Sequence, residues 1–484
     1  MEAGPDYPPP RYPPFEIDNG LAPDLVTHDW GLYLSGPLGR RIPAPRGKVV
    51  GGSSATNTCI GLRPEPGDFE RWASIVGSAD WDWQHALRKF IELEDDRDFD
   101  DKHHGHGGPV PIQRWKPREL IPVSASFIKA CIAAGYRYNN DLNAPDSSGI
   151  GLLPMNLING IRQSMARCYL STVRRQSNLH IRSNTEVHRI LFDGTCARGV
   201  ELTDGSQVHA DRIILCSGTY ANPSILLRSG VGSVDELAPI GVEPIVPLPG
   251  VGKGLYDHPQ CFVAAETCDN LVPDRTPCAQ ALLRYTSATA RRTNDLQLSL
   301  LNYVDMDHFS PELADKVESH SALMLMTQLE DPVASGSVSI LSKEIGGTVR
   351  IELDYCSEPD DLRRLREGIA LAWNIANSPD FSPHISGVLN LDNGTVNDVE
   401  RLDNFIYNNV ATGHHPVGTC KMGKRSDSSS VVDAQGRVLG ANGLWIADAS
   451  VIPFPVRANT NLTCIVLAEI VAGCLRRSTT LSSA

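Results

Sequence analysis

The sequence predicts a mixed α/β chain containing two kinds of sheet, on three observations. The runs Arg212–Cys216 (RIILC) and Gly443–Ala447 (GLWIA) are short, mostly apolar and end in turn residues. That is the pattern of central strands in a parallel sheet covered on both faces. The runs Ser337–Leu341 (SVSIL) and Thr348–Asp354 (TVRIELD) tend instead to alternate, as strands of an antiparallel sheet with one covered face do. Helical spacings lie between these runs. Two kinds of sheet in one chain imply two domains of different architecture, and 484 residues suit about two or three domains at roughly 150 residues each.

In chain order, Asp82–Asp96 (DWQHALRKFIELEDD) carries apolar residues at helical spacing, and so does Val123–Ala134 (VSASFIKACIAA), which Gly135 stops as a C′ glycine. Leu179–Arg182 reads as a strand. Cys216-Ser217-Gly218-Thr219-Tyr220-Ala221-Asn222-Pro223 reads as a strand end, a small-residue turn and a helix start. Pro359–Ala376 (PDDLRRLREGIALAWNIA) is the clearest helix. Pro359, Asp360 and Asp361 occupy its first turn, and Leu362, Leu365, Ile369 and Ala372 form its apolar stripe. A last apolar helix starts near Leu462, with Asn461 placed to cap it.

Bulk composition excludes several classes. The net charge of −13 argues against nucleic-acid partners, because phosphate binding needs clustered Lys and Arg, and against anionic membrane surfaces. No basic region followed by an apolar run opens the chain. The longest apolar stretch, Thr463–Leu475, contains Glu469 and is too short to span a bilayer. The twelve cysteines show no CxxC and no metal-ligand spacing, which reads as buried free thiols of a reducing compartment. His103-His104-Gly105-His106 resembles a metal tract but follows a helix and reads as a solvated loop; no metal site is expected. Met324, Met326 and Trp373 read as core.

Four motifs carry chemistry. Arg46-Gly47-Lys48-Val49-Val50-Gly51-Gly52-Ser53-Ser54-Ala55-Thr56-Asn57 offers unhindered backbone N–H groups and hydroxyls; it is either a surface turn or a loop that lies against a phosphate or a flat ring. The turn after Cys216 is either a structural crossover or a ligand site beyond the carboxyl end of a strand. In His414-His415-Pro416-Val417-Gly418-Thr419-Cys420-Lys421-Met422-Gly423 no further ligands are spaced to complete a metal site, so one histidine as base with a structural partner is the better functional reading. Asp448-Ala449-Ser450-Val451-Ile452-Pro453 directly follows a strand, and capping by Asn461 leaves Asn459 without a role.

Together with Leu248-Pro249-Gly250-Val251-Gly252-Lys253-Gly254-Leu255-Tyr256-Asp257-His258-Pro259, these motifs resemble, in order and over nearly the whole chain, the glucose–methanol–choline family of flavin oxidoreductases. The resemblance implies a Rossmann-like FAD-binding domain with a parallel sheet, incomplete at its N-terminus, and a substrate domain with an antiparallel sheet covered by helices. Residues 1–68, 151–258 and 405–484 would form the first, and 69–150 and 259–404 the second. It implies that Gly51, Gly52, Ser53 and Asn57 approach the flavin or pyrophosphate, that Val187 meets the adenine through its backbone, and that Asp448 and Ala449 sit at the pyrophosphate–flavin end. His415 matches the family's catalytic histidine and Asn459 its partner. The implied reaction is oxidation of a CH–OH group, with His415 taking the hydroxyl proton, Asn459 holding the substrate oxygen and hydride passing to FAD.

Three departures stand out. Thr56 occupies the position where some members carry a histidine bonded to the flavin, so dissociable FAD is expected. Gly254 replaces an asparagine usual in its block. No acceptable GxGxxG is present: Gly230-Val231-Gly232 lacks the third glycine, and Gly250-Val251-Gly252-Lys253-Gly254 has the wrong spacing. Glu2-Ala3-Gly4-Pro5-Asp6 matches the segment after the family's second strand, which makes Glu2 the ribose-binding acid and implies that roughly thirty residues of a βαβ unit are missing. Either the given frame starts at an internal Met or the chain lacks that cradle. The expected partner is a small alcohol, with dioxygen or another acceptor, in the cytoplasm. A pseudoenzyme with weak or no FAD, and a lyase on the same scaffold, are the alternatives.

Overall fold

The computed structural model describes residues 1–8, 11–268, 276–309, 311–315, 317 and 321–482. Its largest sheet has seven strands. Six run in the order Ile385–Val388, Pro259–Thr267, Ser321–Leu329, Leu296–Asp305, Ala281–Tyr285, Gly149–Leu152, and Ala411–Thr412 pairs with the first two residues of Pro259–Thr267. All its pairings are antiparallel. The helix Pro359–Ala376 lies on one face. Its stripe of Leu362, Leu365, Ile369 and Ala372 is buried together with Leu298, Leu323 and Leu325 of the strands, so alternation on the sheet meets the 3.6-residue period of the helix. Gly368 sets how close they come: a Cβ there would lie 2.2 Å from Thr327 Cγ2.

A second sheet of five strands follows the order Lys253–Leu255, Gly336–Ile340, Val349–Glu352, Tyr33–Ser35, Arg41–Pro43. It contains both alternating runs read from the sequence, paired antiparallel from Ser337↔Glu352 to Ile340↔Val349. Val187–Asp193, Cys196–Leu202 and Gln207–His209 make a three-stranded antiparallel sheet.

The expected parallel pairing forms between Ile213–Leu215 and Leu444–Ile446, in register Ile213↔Leu444 to Leu215↔Ile446. Expectation and structure differ at its edge. Ile213 and Leu215 are buried, but Ile214 is 44% exposed, so this strand is not covered on both faces. Beneath the pair lies a core in which Leu444 and Ile446 join Leu462, Val466 and Leu467 of the long helix Thr460–Ser482. The helices Pro66–Val76 and Trp83–Leu93 dock into that same core through Phe69, Trp72, Trp83 and Phe90.

Several boundaries move. Asp82 caps its helix by accepting from His85 N–H at 2.7 Å, but the helix ends at Leu93, and Glu94–Asp96 forms a parallel strand with Val110–Ile112. The last helix starts at Thr460, so Asn459, rather than Asn461, is the residue immediately before it. Leu179–Arg182 is not a strand; its end instead accepts from Glu2 N–H at Arg182 O, 2.8 Å away. All twelve cysteines are free thiols. Met324 is core, as read. Among the described residues no helix is long and apolar enough to cross a membrane.

Candidate active site

Three chain segments meet at His415. The strand Pro259–Thr267 is preceded by Asp257-His258, the strand Ser321–Leu329 ends at Gln328-Leu329 and is followed by Glu330, and the turn 413–416 leaves Ala411–Thr412. His415 Nε2 lies 3.1 Å from Asn459 Nδ2, at the start of the long helix. On its other side, Nδ1 is 3.0 Å from His258 Nδ1 and 3.2 Å from Gln328 Nε2. Gln328 in turn donates to Glu330 Oε1 at 2.7 Å.

The turn is held by Asp257, whose side chain is buried. One carboxylate oxygen accepts from the backbone N–H of His258 at 2.9 Å and of His415 at 2.8 Å. The other accepts from Tyr355 Oη at 2.6 Å and from Thr412 Oγ1. His414 takes the left-handed backbone conformation, φ +64°, which a non-glycine residue adopts only when its surroundings impose it. Thr412 Oγ1 accepts from its N–H at 2.9 Å and Arg46 Nη1 donates to its carbonyl at 2.9 Å.

Burial dominates the electrostatics. It holds the His415 imidazole well below its ordinary value, helped by the neighbouring His258, His414 and Arg46. It pulls His258 down to about 4 and His414 down to about 3. It pushes the Glu330 carboxyl up to about 8. His258 Nδ1 and Glu330 Oε2 are 3.4 Å apart, yet both groups are neutral near pH 7, so this is a contact between a neutral acid and a neutral imidazole rather than an ion pair.

A second cluster joins the two parallel strands at their carboxyl ends. Asp448 caps the turn Ala449–Val451, accepting from Ser450 N–H at 2.9 Å and Ser450 Oγ at 2.6 Å with one oxygen. With the other it accepts from Gly218 N–H and Asn222 Nδ2, both at 2.7 Å. Burial raises its carboxyl above the usual range. Ala449 O accepts from Gly418 N–H at 3.4 Å, which ties this turn to the His415 segment. In the first turn of the neighbouring helix, Asn461 Nδ2 and Thr463 Oγ1 are buried with no hydrogen-bond partner.

The Gly-Gly-Ser-Ser run forms a 3-10 turn, Gly52–Ala55. Gly51 and Gly52 have φ of +107° and +54°, and a Cβ on Gly52 would meet nothing within 4 Å, so the backbone there is open to a close approach. Ser53 Oγ accepts from Gly47 N–H at 3.1 Å. Asn57 Oδ1 accepts from Cys59 N–H at 3.0 Å and faces Arg162 Nη1 at 3.4 Å. Thr56 is buried. Gly254 has φ +66°, which explains why glycine suits that position.

Glu2 and Val187 come near this loop through the backbone. Thr185 N–H donates to Glu2 O at 2.8 Å, two residues before Val187, and Val50 N–H donates to Pro5 O at 3.0 Å. The Glu2 carboxylate itself accepts from Gly4 N–H at 2.8 Å. The predicted residues therefore fall into two groups: Glu2, Val187 and the Gly51–Asn57 loop in one, and His415, Asn459, Asp448 and Ala449 in the other. Sequence reasoning gave no role to Asp257, His258, Gln328 or Glu330. The available signal was a polar pair, Gln328-x-Glu330, closing an otherwise apolar strand.

The histidine tract differs from its sequence reading. His103 and His106 are partly or fully exposed, but His104 is buried, its Nδ1 3.0 Å from Asp96 and 3.3 Å from Glu94, its Nε2 3.0 Å from Asp141. Arg63 and Arg114 pair with the same carboxylates. Burial lowers the His104 pKa, but hydrogen bonds to Asp141, Asp96 and Glu94 outweigh it and raise the imidazole to about 11. With His104 protonated, the three acids and the cations His104, Arg63 and Arg114 form a charge-balanced network.

Comparison with known proteins identifies the family. The N-terminal model of the GMC oxidoreductases matches residues 29–260 and their C-terminal model residues 332–468. The chain belongs to the GMC oxidoreductase family. It is 34% identical over 427 residues to an uncharacterised GMC-type oxidoreductase of Rhodococcus erythropolis, covering 88% of this chain and 81% of that protein. It is 30% identical over 506 residues to the 5-(hydroxymethyl)furfural oxidase of Methylovorus sp. (strain MP688), covering 98% of this chain and 92% of that one. Among solved structures, the pyridoxine 4-oxidase of Mesorbium loti superposes with a TM-score of 0.88 at 28% identity, over 98% of this chain and 93% of that one. Membership makes the chain a flavoprotein oxidoreductase, with FAD as the family's cofactor and CH–OH donors as its substrates.

Proposed function

We propose that this GMC oxidoreductase oxidises a small alcohol with His415 as the base that takes the hydroxyl proton and Asn459 as the group that orients the hydroxyl oxygen. The observation that carries this is the neutral, half-buried imidazole of His415 facing Asn459 at 3.1 Å, on a turn fixed by Asp257. A general base must offer a free lone pair at working pH and keep its angle to the substrate. Burial supplies the first, and the hydrogen bonds of Asp257, Thr412 and Arg46 supply the second.

The residues present suit FAD. The orphaned Asn461 Nδ2 and Thr463 Oγ1 lie in the first turn of a long helix, where unpaired N–H groups and the helix dipole favour negative charge. The open backbone at Gly52, beside a Gly51 packed against Ala166 and Ala55, leaves room that a side chain would fill. In this reading Gly51, Gly52, Ser53 and Asn57 meet the cofactor's centre, Glu2 and Val187 its adenosine end, and Asp448 and Ala449 the turn beside its flavin end. FAD, when bound, supplies the two-electron acceptor that takes hydride from the substrate carbon. With Thr56 where a histidine would be needed for a covalent link, the cofactor is dissociable.

The relatives suggest the substrate class. An oxidase of 5-(hydroxymethyl)furfural and one of pyridoxine are among the similar proteins, so primary alcohols on small rings are the first to test. FAD-loaded protein is mixed anaerobically with each alcohol, and loss of visible flavin absorbance is followed. Bleaching by either supports the proposal. A flavin that stays oxidised with these two and with a panel of simple primary and secondary alcohols overturns it.

A further inference from the structure

Behind His415 lies a fully buried carboxyl group, and its hydrogen bonds reach the base through one amide. Glu330 is 0% exposed. Its Oε1 is 2.7 Å from Gln328 Nε2, and its Oε2 has no hydrogen-bond partner. The same Gln328 amide lies 3.2 Å from His415 Nδ1 and 3.4 Å from His258 Nδ1. The other titratable and charged groups facing Glu330 are His258 and Asp257 before the strand Pro259–Thr267, Arg284 from Ala281–Tyr285, and Asp68 from Pro66–Val76. Arg284 is engaged elsewhere, with Glu65 at 2.7 Å and with the carbonyls of Leu142 and Arg457.

We propose that Glu330 and Gln328 are positioning residues that set the tautomer of His415: with Glu330 neutral the base is available at Nε2, and with Glu330 ionised it is blocked. The inference rests on His415 being the base and concerns how that base is kept ready.

The reasoning is a count of protons and lone pairs. A primary amide presents an oxygen that only accepts or an NH2 that only donates, and a half-turn exchanges the two. An ionised Glu330 only accepts, so it takes the NH2 of Gln328. The amide's second N–H then points at His415 Nδ1, which offers its lone pair to it and to the N–H that His258 Nδ1 carries 3.0 Å away, and the single proton of the neutral His415 ring moves to Nε2. That nitrogen can no longer receive a hydroxyl proton. A neutral Glu330 can donate its own O–H to the amide oxygen. In that state the amide has made its half-turn, so its oxygen takes the place that Gln328 Nε2 holds between Glu330 and His415; His415 Nδ1 carries the proton and donates, His258 Nδ1 offers its lone pair, and His415 Nε2 keeps its lone pair toward Asn459. In passing from the neutral to the ionised state, one O–H bond of Glu330 breaks and its proton leaves to solvent base; in His415 the Nδ1–H bond breaks and an Nε2–H bond forms, in His258 the reverse, and neither ring gains or loses a proton overall. Burial, which raises the Glu330 carboxyl to about 8, keeps the site in the available state at neutral pH.

The test reads the tautomer directly. Full-length, FAD-loaded protein labelled with 15N-histidine is titrated from about pH 6.5 to 9.5, where neutral imidazole tautomers have distinct nitrogen signals. His415 is assigned from the signals missing in His415→Gln. The expected wild-type result is a change from Nδ1–H to Nε2–H with a midpoint near pH 8. Glu330→Gln, which cannot ionise, keeps one tautomer throughout. Gln328→Met, which removes the amide at similar volume, shows no change with that midpoint, and it carries the test if Glu330→Gln does not fold. A wild-type tautomer constant over the range, or the same midpoint in either variant, overturns the proposal. With an alcohol that bleaches the flavin, wild-type kcat/KM falls about tenfold one pH unit above the Glu330 value, and Glu330→Gln loses that alkaline limb. If no alcohol reacts, the assignment of His415 as a base fails while the tautomer experiment still gives its own answer.

Discussion

Replacing Asp257 separates two jobs that one carboxylate performs. One oxygen accepts two backbone N–H groups, those of His258 and His415, and the other accepts two hydroxyls, those of Tyr355 and Thr412. Asp257→Asn keeps an oxygen for the N–H pair and turns an NH2 toward hydroxyls that can rotate to accept, so the expected cost is about 1 kcal/mol or less. Asp257→Ala leaves two buried N–H groups without an acceptor, at about 1–3 kcal/mol each, roughly 2–6 kcal/mol in all. The pH dependence follows from burial, which raises this carboxyl above its value in the unfolded chain. A raised acid contributes stability that is complete below the unfolded carboxylate value and is lost as pH rises through the folded value. Asparagine removes that loss, so Asp257→Asn gains relative to wild type toward neutral pH. Hydrogen exchange measures this at the site: the amides of His258 and His415 should exchange at least ~30-fold faster in Asp257→Ala and within a few-fold of wild type in Asp257→Asn. Equal acceleration in both variants would refute the reasoning, because the charge rather than the acceptor geometry would then be holding the turn.

Asp448→Ala removes the acceptor that ties Gly218 and Asn222 to Ser450. A loss of about 2 kcal/mol corresponds to ~30-fold weaker FAD binding, measured by fluorescence titration of the apoprotein with FAD. His104→Ala leaves Glu94, Asp96 and Asp141 buried around a missing cation and should cost about 3–5 kcal/mol in urea unfolding. The His104 imidazole is raised from 6.5 to about 11. Its stabilisation is therefore complete below the unfolded value and fades as pH climbs toward the folded one, and the gap between wild type and His104→Gln should narrow from about pH 6 to about pH 10. An unchanged gap would assign the effect to packing.

Much of this fold was legible because some signals are local. Pro359–Ala376 has the boundaries read from its Pro-Asp-Asp start and apolar stripe, since capping and periodicity act within a few residues. Glu94–Asp96 left the helix because it pairs with Val110–Ile112, a partner that no helical pattern can announce. Leu179–Arg182 had strand-like composition but no strand to pair with among its described neighbours. Asn461 looked like the cap because the apolar run begins at Leu462, whereas the helix starts two polar residues earlier, at Thr460. The candidate site shows the same division. His415 and Asn459 stood in motifs and meet at 3.1 Å. Gln328 and Glu330 carry no local signature, and only the antiparallel register of Pro259–Thr267 with Ser321–Leu329, Gln260↔Gln328, brings them behind His415. His104 was visible in its tract, but its burial depends on acids and arginines spread from Arg63 to Asp141.

The central claim is that His415 accepts the substrate proton, and single-turnover flavin reduction tests it most directly. Wild type and His415→Gln, matched for bound FAD, are mixed anaerobically with a saturating alcohol. General-base catalysis contributes about 10²–10⁴-fold, so the account predicts a fall of that order in the reduction rate with FAD still bound. A His415→Gln protein that reduces its flavin at the wild-type rate would contradict it.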